Sequence, residues 1–208
     1  MKRTLFTLLL LLALAVPSAL AGIVGVSQGT AAPPATLGSF PLIPWGLDGQ
    51  PDLVDTTTAL GGPGGLSLLF SLPASKRTVG VSWATWSNGY TGSVYWPNGA
   101  TDLLMVLSSP VDAFMFYAEP DPFAVYEITA TAQDGTFITQ SVDGNGGAAG
   151  FGFYGTGGDK IVSIEVSSQA DFAVGEFSST AGTGVPEPSS LLLLGFGIAG
   201  LAFWRRKK

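Results

Sequence analysis

Five aromatic residues, Trp83, Trp86, Tyr90, Tyr95 and Trp96, fall in one short stretch interleaved with Ser87, Asn88, Gly89, Thr91, Gly92 and Asn98. Flat apolar rings among hydroxyls and amides are the mixture that stacks on sugar rings and hydrogen-bonds them, so Trp86, Tyr90, Tyr95 and Trp96 are candidates for a glycan-binding loop. They also have a plainer use, because aromatic side chains fill cores and pin long loops, and Trp83 already belongs to an alternating Val79, Val81, Trp83 pattern. A second candidate chemistry lies in Glu119, Asp121 and Glu127, since two carboxylates flanking a glycosidic bond suffice for its hydrolysis. Against it, Glu119-Pro120-Asp121-Pro122 reads first as a solvated turn. A third is Asp143-Gly144-Asn145-Gly146, which offers calcium two oxygen side chains but not the full EF-hand pattern. Asp and Asn capping their own backbone account for that segment equally well.

Cysteine and histidine are both absent. Disulfides, thiolate nucleophiles, imidazole bases, the Ser-His-Asp triad and the usual zinc ligands go with them. The Gly-rich segment 144–152 lies between apolar runs and opens no helix, so it is not a phosphate loop. The chain is therefore expected to be no enzyme, with no catalytic residues, no bound metal and no cofactor. Residues 22–184 carry three basic against fourteen acidic side chains, a net charge of −11 beside −6 for the whole chain. Such a surface repels phosphate backbones, which excludes nucleic acid as a partner.

The charge is uneven because the ends are basic. Lys2 and Arg3 precede an apolar run over 5–16, and Pro17-Ser18 breaks it before Ala19-Leu20-Ala21. Cations that stay in the cytoplasm, an inserting helix and small residues before the cut make residues 1–21 a signal peptide, removed after Ala21 by signal peptidase. The run is shorter than the ~20 residues a retained span needs. At the other end Val185, Pro186, Glu187 and Pro188 lead through Ser189-Ser190 into an apolar helix over 191–204, closed by Arg205, Arg206, Lys207 and Lys208. The prolines hold the motif at 185–190 extended and accessible. Fourteen helical residues reach only about 21 Å of a ~30 Å hydrocarbon core, which makes a marginal membrane helix. The terminal cations stop it on the cytoplasmic side, the orientation that export of the other end also requires. An uncleaved single-span anchor is the plain alternative.

In its order of motif, short helix with Gly and Ala, and basic cluster, segment 185–208 resembles the PEP-CTERM sorting signal of Gram-negative bacteria. The resemblance implies an exosortase as partner, a membrane-embedded cysteine protease-transpeptidase that cuts near the Pro-Glu-Pro. It further implies residence in the inner membrane before processing and in the cell envelope or extracellular matrix afterwards. Such systems occur with exopolysaccharide and biofilm production. The expected function is thus an exported, non-catalytic surface or matrix protein associated with exopolysaccharide; the alternatives are a carbohydrate-binding module and a glycoside hydrolase.

The elements that must position any site lie between the ends. Residues 22–65 are rich in Gly, Pro, Ala and Thr, and prolines at 33, 34, 41, 44, 51 and 63 leave only extended segments and loops. Short apolar runs then recur at 66–72, 78–83, 102–107, 111–118, 126–132, 137–142, 151–154, 161–166 and 172–177. None has a helical period, and Tyr126, Ile128, Ala130 and Ala132 alternate with polar neighbours as one core-facing row. Asp134-Gly135 suits a two-residue type I′ hairpin. The fold expected for 22–184 is all-β, a β-sandwich of jelly-roll or Greek-key type, flanked by the signal helix and the membrane helix. Segment 113–177 resembles, more loosely than the tail, the β-rich domain common in PEP-CTERM proteins, and that resemblance carries no catalytic residues.

Overall fold

Alternating apolar runs between turn residues form strands throughout residues 21–182, the part of the chain that this computed structural model describes. The strands are β1 (Gly22–Gly29), β2 (Thr36–Leu37), β3 (Phe40–Pro41), β4 (Ile43–Pro44), β5 (Asp55–Ala59), β6 (Leu68–Thr78), β7 (Ser93–Trp96), β8 (Asp102–Val111), β9 (Ala113–Pro120), β10 (Val125–Ala132), β11 (Phe137–Asp143), β12 (Ala149–Thr156), β13 (Ile161–Ser168) and β14 (Phe172–Ser179). The only helical element among the described residues is a 3-10 turn at Pro63–Gly65, and no helix there is long and apolar enough to cross a membrane. The expected signal helix, membrane helix and sorting motif lie outside the described residues.

Strands β7 to β14 make two antiparallel halves, in the orders β7-β14-β9-β12 and β8-β13-β10-β11. This is jelly-roll order, in which strands drawn alternately from the two halves of the run lie side by side. Across the core β9 faces β10, β11 and β13, as the opposed sheets of a sandwich do. β6 pairs with both β7 and β8 and joins the halves along one side. β1 extends the first half beyond β12 and comes up to β11 on the other side, where the sheet nearly closes. Side chains bridge that seam: Ile23 N donates to Asp134 Oδ2 at 3.1 Å, and Gly29 N to Gln140 Oε1 at 3.2 Å. Gly25 allows the approach, since a Cβ there would stand 2.8 Å from Ile138 Cγ1.

With no disulfide, the core must hold the domain, and a chain of rings runs through it from strand to strand. Phe151 (β12), Phe116 and Phe114 (β9), Phe177 (β14), Tyr95 (β7) and Phe70 (β6) follow one another at centroid separations of 5.1–6.0 Å. Offset and tilted packing at these distances adds to the area that each ring buries. β9 and β14 are buried on both faces. In β9, Phe114, Phe116 and Ala118 point into the main core, whereas Met115 and Tyr117 point outward beneath Ala148, Leu42 and Trp86.

The structure departs from the sequence expectations in three places. Residues 22–65, expected as extended segments and loops without assigned strands, contribute β1, β4 and β5 to the main sheet. Residues 78–83 are no independent strand: β6 runs to Thr78, and the N–H groups of Val81, Ser82 and Trp83 all turn back onto Thr78 O at 2.9–3.1 Å. Val81 is consequently 82% exposed. The hairpin at Asp134-Gly135 exists, but its loop is Gln133-Asp134-Gly135, with Gly135 N on Ala132 O and only Gly135 at positive φ, 89°. A type I turn followed by a left-handed Gly is the standard three-residue solution.

Candidate functional site

The segment between β6 and β7, residues 79–92, folds over the outer face of β7 and β14. Local hydrogen bonds bend it there: Thr78 N donates to Ser82 Oγ at 2.8 Å, and Asp52 accepts from Lys76 Nζ, Thr78 Oγ1 and Ser82 Oγ at 2.7–2.8 Å. Burial opposes ionisation of Asp52, but those donors outweigh it and hold the carboxyl at about 2. Val79 and Trp83 then bury against Val94 and Ala173, with Trp86, Tyr90 and Trp96 packed around them.

Three indole N–H groups of this region each end on a carboxylate. Trp83 Nε1 donates to Glu119 Oε2 at 2.7 Å, Trp86 Nε1 to Glu176 Oε2 at 2.9 Å and Trp96 Nε1 to Asp171 Oδ2 at 3.0 Å. Glu119, at the end of β9, is 1% exposed, and Thr85 Oγ1 donates to its other oxygen at 2.6 Å. Burial pushes this carboxyl up to about 7, against the pull of Thr85 and Trp83 and with a push from Asp121. Glu176 is 8% exposed, accepts also from Asn88 Nδ2 at 3.2 Å, and is raised by burial. It holds φ at 49° where the β14 register shifts, a backbone state costly for any residue with a Cβ.

The four aromatic residues expected to form a glycan platform are distributed differently. Tyr95 points into the core, 1% exposed, stacked on Phe177 at 5.9 Å with its hydroxyl on Asp48 Oδ2, so its ring has no face to offer. Burial and the Asp48 carboxylate raise its phenol well above the ordinary range. Trp86 and Tyr90 pack on each other, centroids 6.1 Å apart, and Tyr90 OH donates to Ser93 O at 3.0 Å. Tyr90 and Tyr95 border a cleft of about 280 Å³ with Trp45, Asp48, Glu176 and Ser178. Trp96 lines a different cleft.

That cleft, of about 290 Å³, is bordered by Arg77, Thr85, Trp96, Glu119, Asp121 and Phe123. It gathers two of the three carboxylates considered for glycoside hydrolysis. Glu127 lies apart, exposed on β10 opposite Ser141. Asp121 is raised by burial and by the neighbouring Asp171 carboxylate, with Arg77 pulling the other way. Asp143 Oδ1 caps the backbone N–H and side-chain amide of Asn145 at 2.9 and 3.1 Å. Sequence reasoning missed Arg77, Phe123, Asp171 and Glu176 as members of these sites. Phe123 carried the one usable signal, a large apolar residue inside a Pro-rich turn.

Val185, Pro186, Glu187, Pro188, Arg205, Arg206, Lys207 and Lys208 lie outside the described residues. Residues 184–207 match the family model of the PEP-CTERM protein-sorting motif. The motif implies an exported protein whose C-terminal region stays in a membrane until an exosortase processes it. No curated protein matches the chain.

Proposed function

We propose that the chain is a non-catalytic surface or extracellular-matrix protein, delivered by exosortase sorting and associated with exopolysaccharide. The match of residues 184–207 to the sorting motif carries this reading. The jelly-roll domain supports it from the other side. Glu119, the carboxylate best placed for acid-base chemistry, has both oxygens occupied by Trp83 and Thr85, which is the arrangement of a pin between loop and sheet. Signal peptidase removes residues 1–21, the inner membrane holds the helix over 191–204 for a time, and Arg205, Arg206, Lys207 and Lys208 keep the end cytoplasmic until Pro186-Glu187-Pro188 is cut.

Fractionation of producing cells tests the reading. Wild-type protein is expected in the polysaccharide-rich matrix, Glu187→Ala in the inner membrane, and a chain lacking residues 185–208 in the soluble periplasm. Equal distribution of all three would contradict it.

A further inference from the structure

Phe123 is 62% exposed at the edge of the cleft over Glu119. Apolar side chains scattered over a surface need no explanation, but one at the lip of a concave site beside a tryptophan marks a ligand surface. Arg77 is an independent second sign. The other two cations among the described residues are ion-paired, Lys76 with Asp52 and Lys160 with Asp112, whereas Arg77 is in no ion pair there. Its guanidinium lies 4.8 Å over the Trp96 ring, one Nη donates to Ser82 O at 3.3 Å, and the buried Nε has no hydrogen-bond partner. On the acceptor side Asp121 stands beside Asp171, whose Oδ2 is already taken by Trp96.

We infer that this cleft binds a neutral glycan, with the C–H face of one sugar ring on Phe123 at the rim and its hydroxyl groups bridging Asp121 and Arg77. The charge pattern disfavours a polyanion, which would meet Asp121 in a region of net charge −11. An uncharged polyol satisfies acceptors and donor together. The inference rests on the matrix reading above and adds to it the ligand class and the residues.

The test is calorimetric titration of the full chain, held in a zwitterionic detergent, with neutral hexasaccharides of gluco, manno, galacto and xylo configuration and with hexagalacturonate. At least one neutral hexasaccharide is expected to bind, more tightly than hexagalacturonate. Phe123→Ala is expected to weaken it about tenfold, the scale of one lost stacking contact. Phe137→Ala, an equally exposed ring on β11 away from the cleft, is expected to bind as wild type. Melting curves verify that both variants fold. Failure of all four neutral sugars, preference for hexagalacturonate, or wild-type affinity in Phe123→Ala overturns the inference. None of these results alters the cell fractionation, so a protein still found in the matrix loses only the cleft assignment.

Discussion

Glu119 and Glu176 serve as pins because each answers a tryptophan that folds down from the 79–92 segment, and the arrangement makes stability depend on pH. With the Glu119 carboxyl at about 7 instead of 4.5, the native state keeps a proton that the unfolded chain releases. Stability from this group is greatest below 4.5, falls as pH rises to about 7 and is level beyond. Asp121 and Glu176, also raised, act in the same direction. Asp48, Asp52 and Asp134 are lowered and act oppositely: their contribution is complete above 3.8 and is lost as pH falls, toward about 2 for Asp52. The melting temperature is therefore expected to peak between the reference values of 3.8 and 4.5 and to decline toward neutral pH. Glu119→Gln is expected to flatten that neutral limb, which is worth up to about 3 kcal/mol. An unchanged limb in thermal scans of the variant would contradict burial as its cause. Glu176 gives a second expectation: Glu176→Leu takes the acceptor from Trp86 Nε1 and puts an apolar side chain among polar groups while keeping the left-handed φ. Urea denaturation should show a loss of about 2 kcal/mol or more, whereas Glu176→Gln, which keeps an acceptor, should lose much less.

At the scale of elements, Gly25 is the point where the sheet comes nearest to closing. Gly25→Val is expected to force β1 from β11 against Ile138, at a cost of about 1–3 kcal/mol. Amide exchange should then quicken in β1 and β11 while the β8-β13 ladder keeps its protection; uniform quickening would contradict a local seam. The strands from β8 onward were legible in the sequence because each is a short apolar run between turn residues. Ile128, Ala130 and Ala132 do form the buried row that their alternation requires. Period-2 alternation over Val79, Val81 and Trp83 misled because three positions fit a turn as well as a strand. There Thr78 O gathers three N–H groups, which only the observed hydrogen bonds reveal. β1 was hidden by its glycines, which signal loops in isolation but here permit a close strand. The cleft was half legible: Trp96, Glu119 and Asp121 stood out by type. Their union with Arg77 and Phe123 depends on β6 and the turn after β9 meeting across β7 and β14, and no local pattern records that.

For the whole molecule, the domain begins where the expected processing would leave it. β1 starts at Gly22, the residue that a cut after Ala21 makes first, and Thr156 Oγ1 donates to Gly22 O at 3.0 Å. The exported protein is expected to show Gly as its first residue on N-terminal sequencing, and a terminus upstream of Gly22 would contradict that cut. Strand β14 ends at Ser179, so the segment leading to Pro186-Glu187-Pro188 is short. The proposed function rests on sorting through this tail, and mass spectrometry of the mature wild-type protein from cells with an active exosortase reads it without intermediates. Peptides are expected to reach no further than the Pro186 to Pro188 region, with none containing Trp204. Recovery of a Trp204 peptide from the mature protein would mean that the tail is kept, and a simple membrane anchor would replace sorting as its role.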